Sequence, residues 1–224
     1  MCGRYTLKAI AEILADQFDF EELADAKPRY NIAPAQLVAC VRFLPGSQKR
    51  EGIMLRWGLI PSWATDPDIG MKLINARAET VDERPSFRKS FRQRRCLVLA
   101  DGFYEWRKEK RAKQPYYIQM KDKRPFAFAG LWEYWINSDG GVVESCALIT
   151  TEPNELMAPI HNRMPAIVDP DRYGEWLDPM QQQVAKLNAL LGPYPAKQMI
   201  AYPVDQLVNN AWVDDLRCVE PLGE

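Results

Sequence analysis

Histidine is almost absent from this 224-residue chain, which holds one, His161. Its five cysteines (2, 40, 96, 146 and 218) show no CxxC spacing, so the sequence has no zinc site built from cysteine and histidine, and neither metal nor cofactor is expected. No apolar run approaches the roughly 18 residues that would span a bilayer. The opening MCGRYTLKAI lacks the apolar core of a secretory signal. An odd cysteine count without an export signal points to free thiols in a reducing compartment, so a cytoplasmic location is expected. A net charge of -1 gives no general attraction to nucleic acid. Internal repeats and low-complexity linkers are missing too, and the whole chain reads as one domain.

With 47% apolar and 26% charged residues, the chain can build an ordinary core. The charge is unevenly placed. Between Arg84 and Lys113 stand eleven Lys/Arg against three acids (Asp101, Glu105, Glu109), a local +8 that leaves -9 for the remainder. Such a block suits phosphate neutralisation, and it equally suits a solvated basic face. Ile10, Ile13, Leu14 and Phe18 at helical spacing predict a helix within residues 8–23. Strand-like runs follow at 37–44, 53–57, 96–100, 116–120, 126–131 and 143–150, with turns such as Pro45-Gly46 between some of them. Helices are predicted at 171–177 and 180–191, and a last strand near 199–202. Many strands with helices towards the two ends read as α+β.

Several residues carry chemistry. Removal of Met1 before the small Cys2 would leave an α-amine and a thiol on adjacent carbons. With a pKa near 7.8, roughly one in seven such amines is unprotonated at pH 7. An aldehyde meeting this pair forms an imine, and the thiol closes on the imine carbon to give a thiazolidine, an intramolecular step favoured by proximity. Cys2 is also simply the residue after the start codon. His161, between Pro159 and Pro165, suits proton transfer at neutral pH or a structural role. Glu105, among the aromatic residues of ADGFYEW, suits a general acid or base with a raised pKa, or an ion pair with a nearby arginine. Extended backbone would put Asn75, Arg77 and Glu79 on one side, where an amide and a guanidinium suit a sugar oxygen and a phosphate. The competing reading is a local Arg77–Glu79 ion pair. Trp57-Gly58-Leu59-Ile60-Pro61-Ser62-Trp63 suits base stacking or core packing. The residue chemistry of Tyr30–Pro34 points nowhere by itself.

Taken together, MCGRY at 1–5, RYNIAP at 29–34, WGLIPSW at 57–63, INARAET at 74–80, ADGFYEW at 100–106 and HNRMP at 161–165 resemble the SRAP family of abasic-site processing proteins, in that family's order and spacing over about residues 1–210. The resemblance implies an α+β SRAP-type domain, a barrel-like pair of mainly antiparallel sheets with peripheral helices. It implies single-stranded DNA containing abasic sites as partner, a monomer, and no cofactor. Cys2 would capture the ring-opened sugar aldehyde, Asn75 would position the sugar or the amine, Glu105 would act as acid and base, and His161 would assist proton transfer, crosslink reversal and β-elimination. Arg4, Arg77 and Arg163 would hold phosphates, while Pro34, Trp63 and Thr150 fall in DNA-contacting segments. Two departures stand out: Asn162 where the family often has Asp, and a tail that diverges after Val208-Asn209-Asn210. Three rivals remain: a thiol peptidase acting at Met1-Cys2 or on other proteins, an N-terminal-nucleophile amidotransferase, and a non-covalent single-stranded DNA-binding module.

Overall fold

The computed structural model describes residues 2–23, 27–43, 47, 49–110 and 112–223. Its strands are β1 (Tyr5–Leu7), β2 (Arg29–Ile32), β3 (Leu37–Phe43), β4 (Arg50–Trp57), β5 (Asn75–Arg77), β6 (Arg95–Ala100), β7 (Gly102–Lys108), β8 (Lys113–Met120), β9 (Phe126–Ile136), β10 (Val142–Thr151), β11 (Met164–Pro165), β12 (Ile167–Val168) and β13 (Met199–Pro203). Four short α-helices accompany them: α1 (Ala11–Phe18), α2 (Arg88–Gln93), α3 (Tyr173–Leu177) and α4 (Val184–Asn188).

The strands form two sheets, as the α+β reading expects. One runs β13-β8-β7-β1-β2. In the other, β10-β4-β3-β6-β9 closes on itself because β9 also pairs with β10. Closure removes the sheet edges that would otherwise need covering. Most pairings are antiparallel, but β10 runs parallel to both β4 and β5. Strand β6 is buried throughout and β10 from Ser145 to Thr151, and their apolar residues line the shared core. Tyr5 of the first sheet enters that core edge-on to Trp57 at 5.4 Å and to Phe128 at 5.6 Å between ring centroids. Trp57 is therefore core, whereas Trp63 at the end of the same motif is 58% exposed. No helix among the described residues is long and apolar enough to cross a membrane.

The expected strands all appear, with shifted ends; Leu44 and the Pro45-Gly46 turn lie outside the described residues. The helices are shorter than the periodicity predicts. The first begins only at Ala11, after Ile10 in extended backbone, and it stops at Asp19 in left-handed backbone. It buries Leu14 and Phe18 but leaves Ile10 and Ile13 exposed. The predicted helix over 180–191 shrinks to α4. The buried Arg95 guanidinium takes the carbonyls of Trp176, Asp178 and Gln181, so these groups serve a side chain instead of a helical ladder.

The candidate active site

The N-terminal segment is fastened by a buried polar cluster. Thr6 Oγ1 donates to Asp101 at 2.6 Å and lies 2.9 Å from the Tyr117 hydroxyl. Such fully satisfied networks hold strands in one register. Gly102 is required there: a Cβ would lie 2.1 Å from the Tyr117 oxygen. The network sets β1 against β7 with Tyr5 opposite Phe103, and the Tyr104 N–H donates to the Arg4 carbonyl at 3.0 Å. Continuing that register outward brings the backbone of Cys2 and Gly3 past Glu105.

Cys2 is fully buried, and its thiol lies 3.8 Å from the Arg4 carbonyl oxygen. Burial, then the nearby Glu105 carboxylate, push the thiol pKa far up, so it stays protonated at neutral pH. Asn75 opens β5, which hangs on β10 through Asn75 opposite Leu148. Its Nδ2 donates to the Cys2 carbonyl at 2.7 Å, and its Oδ1 is buried with no hydrogen-bond partner among the described residues. Glu105 is buried and its carboxyl is pushed up to about 7, chiefly by burial. His161 follows a tight turn in which its N–H donates to the Met157 carbonyl at 2.9 Å. Its Nε2 lies 4.0 Å from Glu105 Oε2, and burial lowers its pKa. Cys2, Asn75, Glu105 and His161, scattered over 160 positions of sequence, thus share one place.

Glu105 and His161 open into a cleft of about 400 Å³ shared with Trp106, Lys113, Gln206 and Asn209. The last four were not singled out from the sequence. Lys113 closes the basic block, the one signal that pointed to it. Three of its cations do other work: Arg94 pairs with Glu133, Arg95 is buried on carbonyls, and Arg107 pairs with Glu109.

Arg77 ends β5 opposite Thr150 with its side chain exposed, and its charge helps to lower the Glu79 pKa. The local Arg77–Glu79 pair considered above is replaced by a long-range one: Glu79 receives both Nη atoms of Arg163. Arg163 also donates to the Thr150 carbonyl. The Thr150 side chain is itself buried and donates to the Ala76 carbonyl at 3.2 Å. Arg4 likewise turns inward, to Asn31 Oδ1 at 2.9 Å and the carbonyls of Val208 at 2.6 Å and Asn209 at 3.1 Å. Asn31 explains the RYNIAP motif. Fully buried, it donates to the carbonyls of Val208, Asn210 and Val213, tying the C-terminal loop beside the cleft. Pro34, half-buried, shapes the turn in which Ala35 takes positive φ and donates to the Trp57 carbonyl at 2.7 Å. Trp63 lines a different cleft, with Asp66, Asp68 and Lys72. Among the described residues no group of three or more His, Cys, Asp or Glu is placed to hold a metal ion.

The abasic site processing protein YoaM of Bacillus subtilis (strain 168) is 46% identical over 214 residues, covering 94% of this chain and 93% of YoaM. The abasic site processing protein YedK of Escherichia coli (strain K12) is 29% identical over 235 residues, covering 99% of this chain and 100% of YedK. A crystal structure of a protein from Bacteroides thetaiotaomicron superposes with a TM-score of 0.89 at 28% identity, covering 99% of this chain and 100% of that one. Residues 1–211 match the family described as SOS response associated peptidase (SRAP). The chain belongs to the SRAP family.

Proposed function

We propose that this protein processes abasic sites in single-stranded DNA by covalent capture on Cys2 once Met1 has been removed. The observation that carries the reading is the grouping of Cys2, Asn75, Glu105 and His161, the last two lining a cleft of about 400 Å³. The named relatives supply the substrate class. In the first step the Cys2 α-amine adds to the C1′ aldehyde of the ring-opened deoxyribose. Loss of water gives the imine. The thiol then adds across the C=N bond: sulfur bonds to carbon, and the thiol proton ends on nitrogen. The product is protein plus DNA less one water.

Each neighbour has a task. Asn75 Nδ2 holds the Cys2 carbonyl, and its buried Oδ1 is an acceptor suited to the liberated amine. Glu105, titrating at about 7, donates a proton to the departing hydroxyl and takes one from the thiol. His161 relays protons between Glu105 and the cleft, which also serves reversal of the crosslink and β-elimination of the 3′ phosphate. A thiol that stays protonated leaves the first bond to the amine. Arg77 and Lys113 are the cations that face outward for phosphates, and Trp63 and Pro34 present apolar surface to the strand. Arg163 reaches a phosphate by exchanging its Glu79 partner, and Arg4 acts by buttressing the loop.

The deciding experiment incubates protein of verified N-terminal mass with single-stranded DNA carrying one abasic site. Wild type should give a heat-stable adduct at the summed mass less water, and Cys2→Ala should give none. Absence of the adduct from wild type with an intact aldehyde would refute the reading. Blocking the α-amine while sparing the thiol separates capture from thiol peptidase activity, which needs only the sulfur.

A further inference from the structure

Trp212 is 94% exposed, in the stretch where the tail departs from the family pattern. Its backbone is nonetheless fixed on both sides. The Trp212 N–H donates to Asn210 Oδ1 at 3.1 Å, and the Val213 N–H to the Asn210 carbonyl at 3.1 Å. The Val213 carbonyl accepts Asn31 Nδ2 at 2.7 Å, and the Asp214 carboxylate accepts the backbone N–H groups of Tyr30 and Asn31. Three residues earlier, Asn209 lines the cleft that holds Glu105 and His161, and its Oδ1 accepts Trp106 Nε1 at 2.8 Å. Three residues of backbone reach at most about 10 Å. A large aromatic side chain is therefore held in water on a braced loop, within one nucleotide or two of the cleft.

We infer that Trp212 is a stacking platform for an unpaired base flanking the abasic nucleotide, on the strand as it leaves the cleft. This rests on the reading of the site as an abasic-DNA site. An abasic nucleotide removes the stacking partner of its neighbour, and that neighbour's exposed face gains most from an indole. Stacking of this kind tolerates any base, as a damage processor requires. Bracing by Asn31 and Asp214 means that little order is lost on binding.

The probe is a single-stranded oligonucleotide with one tetrahydrofuran abasic analogue, which binds but cannot react. Its affinity is measured by fluorescence anisotropy at fixed salt for wild type, Trp212→Ala and Trp212→Phe. A second set of oligonucleotides replaces each flanking nucleotide in turn by a baseless spacer. Trp212→Ala should weaken binding about 5- to 150-fold, the span for one stacked base, with an unchanged thermal midpoint, and Trp212→Phe should recover most of the loss. The loss should vanish for one spacer position alone, as coupled partners demand. Binding of Trp212→Ala within twofold of wild type, or a loss that is the same at every spacer position, overturns the inference while leaving the site assignment intact. Wild type that neither binds the analogue nor captures an aldehyde-bearing strand removes both.

Discussion

The His161 Nε2 stands 4.0 Å from Glu105 Oε2, while its Nδ1 accepts the Arg163 backbone N–H at 3.1 Å. Accepting that bond requires a lone pair on Nδ1, so the neutral ring carries its proton on Nε2, towards the carboxyl. On protonation Nδ1 becomes a donor, and the Arg163 carbonyl oxygen 3.3 Å away can receive it. One residue's backbone serves both charge states, as a proton relay needs.

From that relationship, His161→Ala should slow adduct formation by about 100-fold, the usual scale of a lost general acid or base, with Cys2 and Asn75 in place. A quenched time course on abasic single-stranded DNA reads it. Capture at the wild-type rate would remove His161 from the proton path.

Glu105 makes stability depend on pH. Its folded pKa, about 7, lies above the ordinary 4.5, so the folded state holds the proton more tightly. The contribution is complete below about pH 4.5 and is lost as pH rises through 7, an effect on the order of 3 kcal/mol. His161, whose pKa is lowered, acts in the opposite sense and withdraws stability as pH falls. Urea unfolding of wild type and Glu105→Gln at pH 5 and pH 8 isolates the carboxyl: the variant should gain on wild type at pH 8. Parallel profiles would contradict the burial argument.

Asn31→Ala should cost about 2–3 kcal/mol, because three carbonyls and the Arg4 guanidinium lose a buried partner together. Limited proteolysis should find new cleavage after Val208. An unchanged denaturant midpoint and an uncut tail would show that Arg4 holds the loop unaided.

Glu79→Gln frees the Arg163 guanidinium. The pair is half exposed on the Glu79 side, so the thermal midpoint should hardly move. Affinity for single-stranded DNA should rise about threefold, and log Kd against log salt should steepen by close to 0.7, the increment for one added phosphate contact on a single strand. An unchanged slope would mean that Arg163 does not meet phosphate.

Strands were readable from residue order because β6, β9 and β10 each hold an apolar run buried on both faces, Cys96–Ala100, Phe126–Leu131 and Cys146–Ile149. Helix ends were not, since Ile10 turns extended ahead of α1 and the distant Arg95 takes the Gln181 carbonyl that periodicity assigns to a helix. Cys2, Asn75, Glu105 and His161 were legible through motifs, each of which carries its own chemistry. Lys113, Gln206 and Asn209 were not, because their place depends on which strand edge faces the cleft. The intramolecular partners of Arg4 and Thr150 were not legible from residue type: the guanidinium meets Asn31 and two backbone carbonyls, and the hydroxyl meets the Ala76 carbonyl.

The bond from Asn75 to Cys2 and the grip of Asn31 on residues 208–213 join the two ends of the chain through its middle. On the proposed removal of Met1, a ribosome-bound chain would therefore hold a loose aminothiol for most of its synthesis and acquire the assembled cleft only when nearly all of it has emerged. Folding dominated by such distant pairings is slow. Reactivity towards free aldehydes in the cell should accordingly be a hazard of the newborn chain, and selectivity for DNA a property of the finished one.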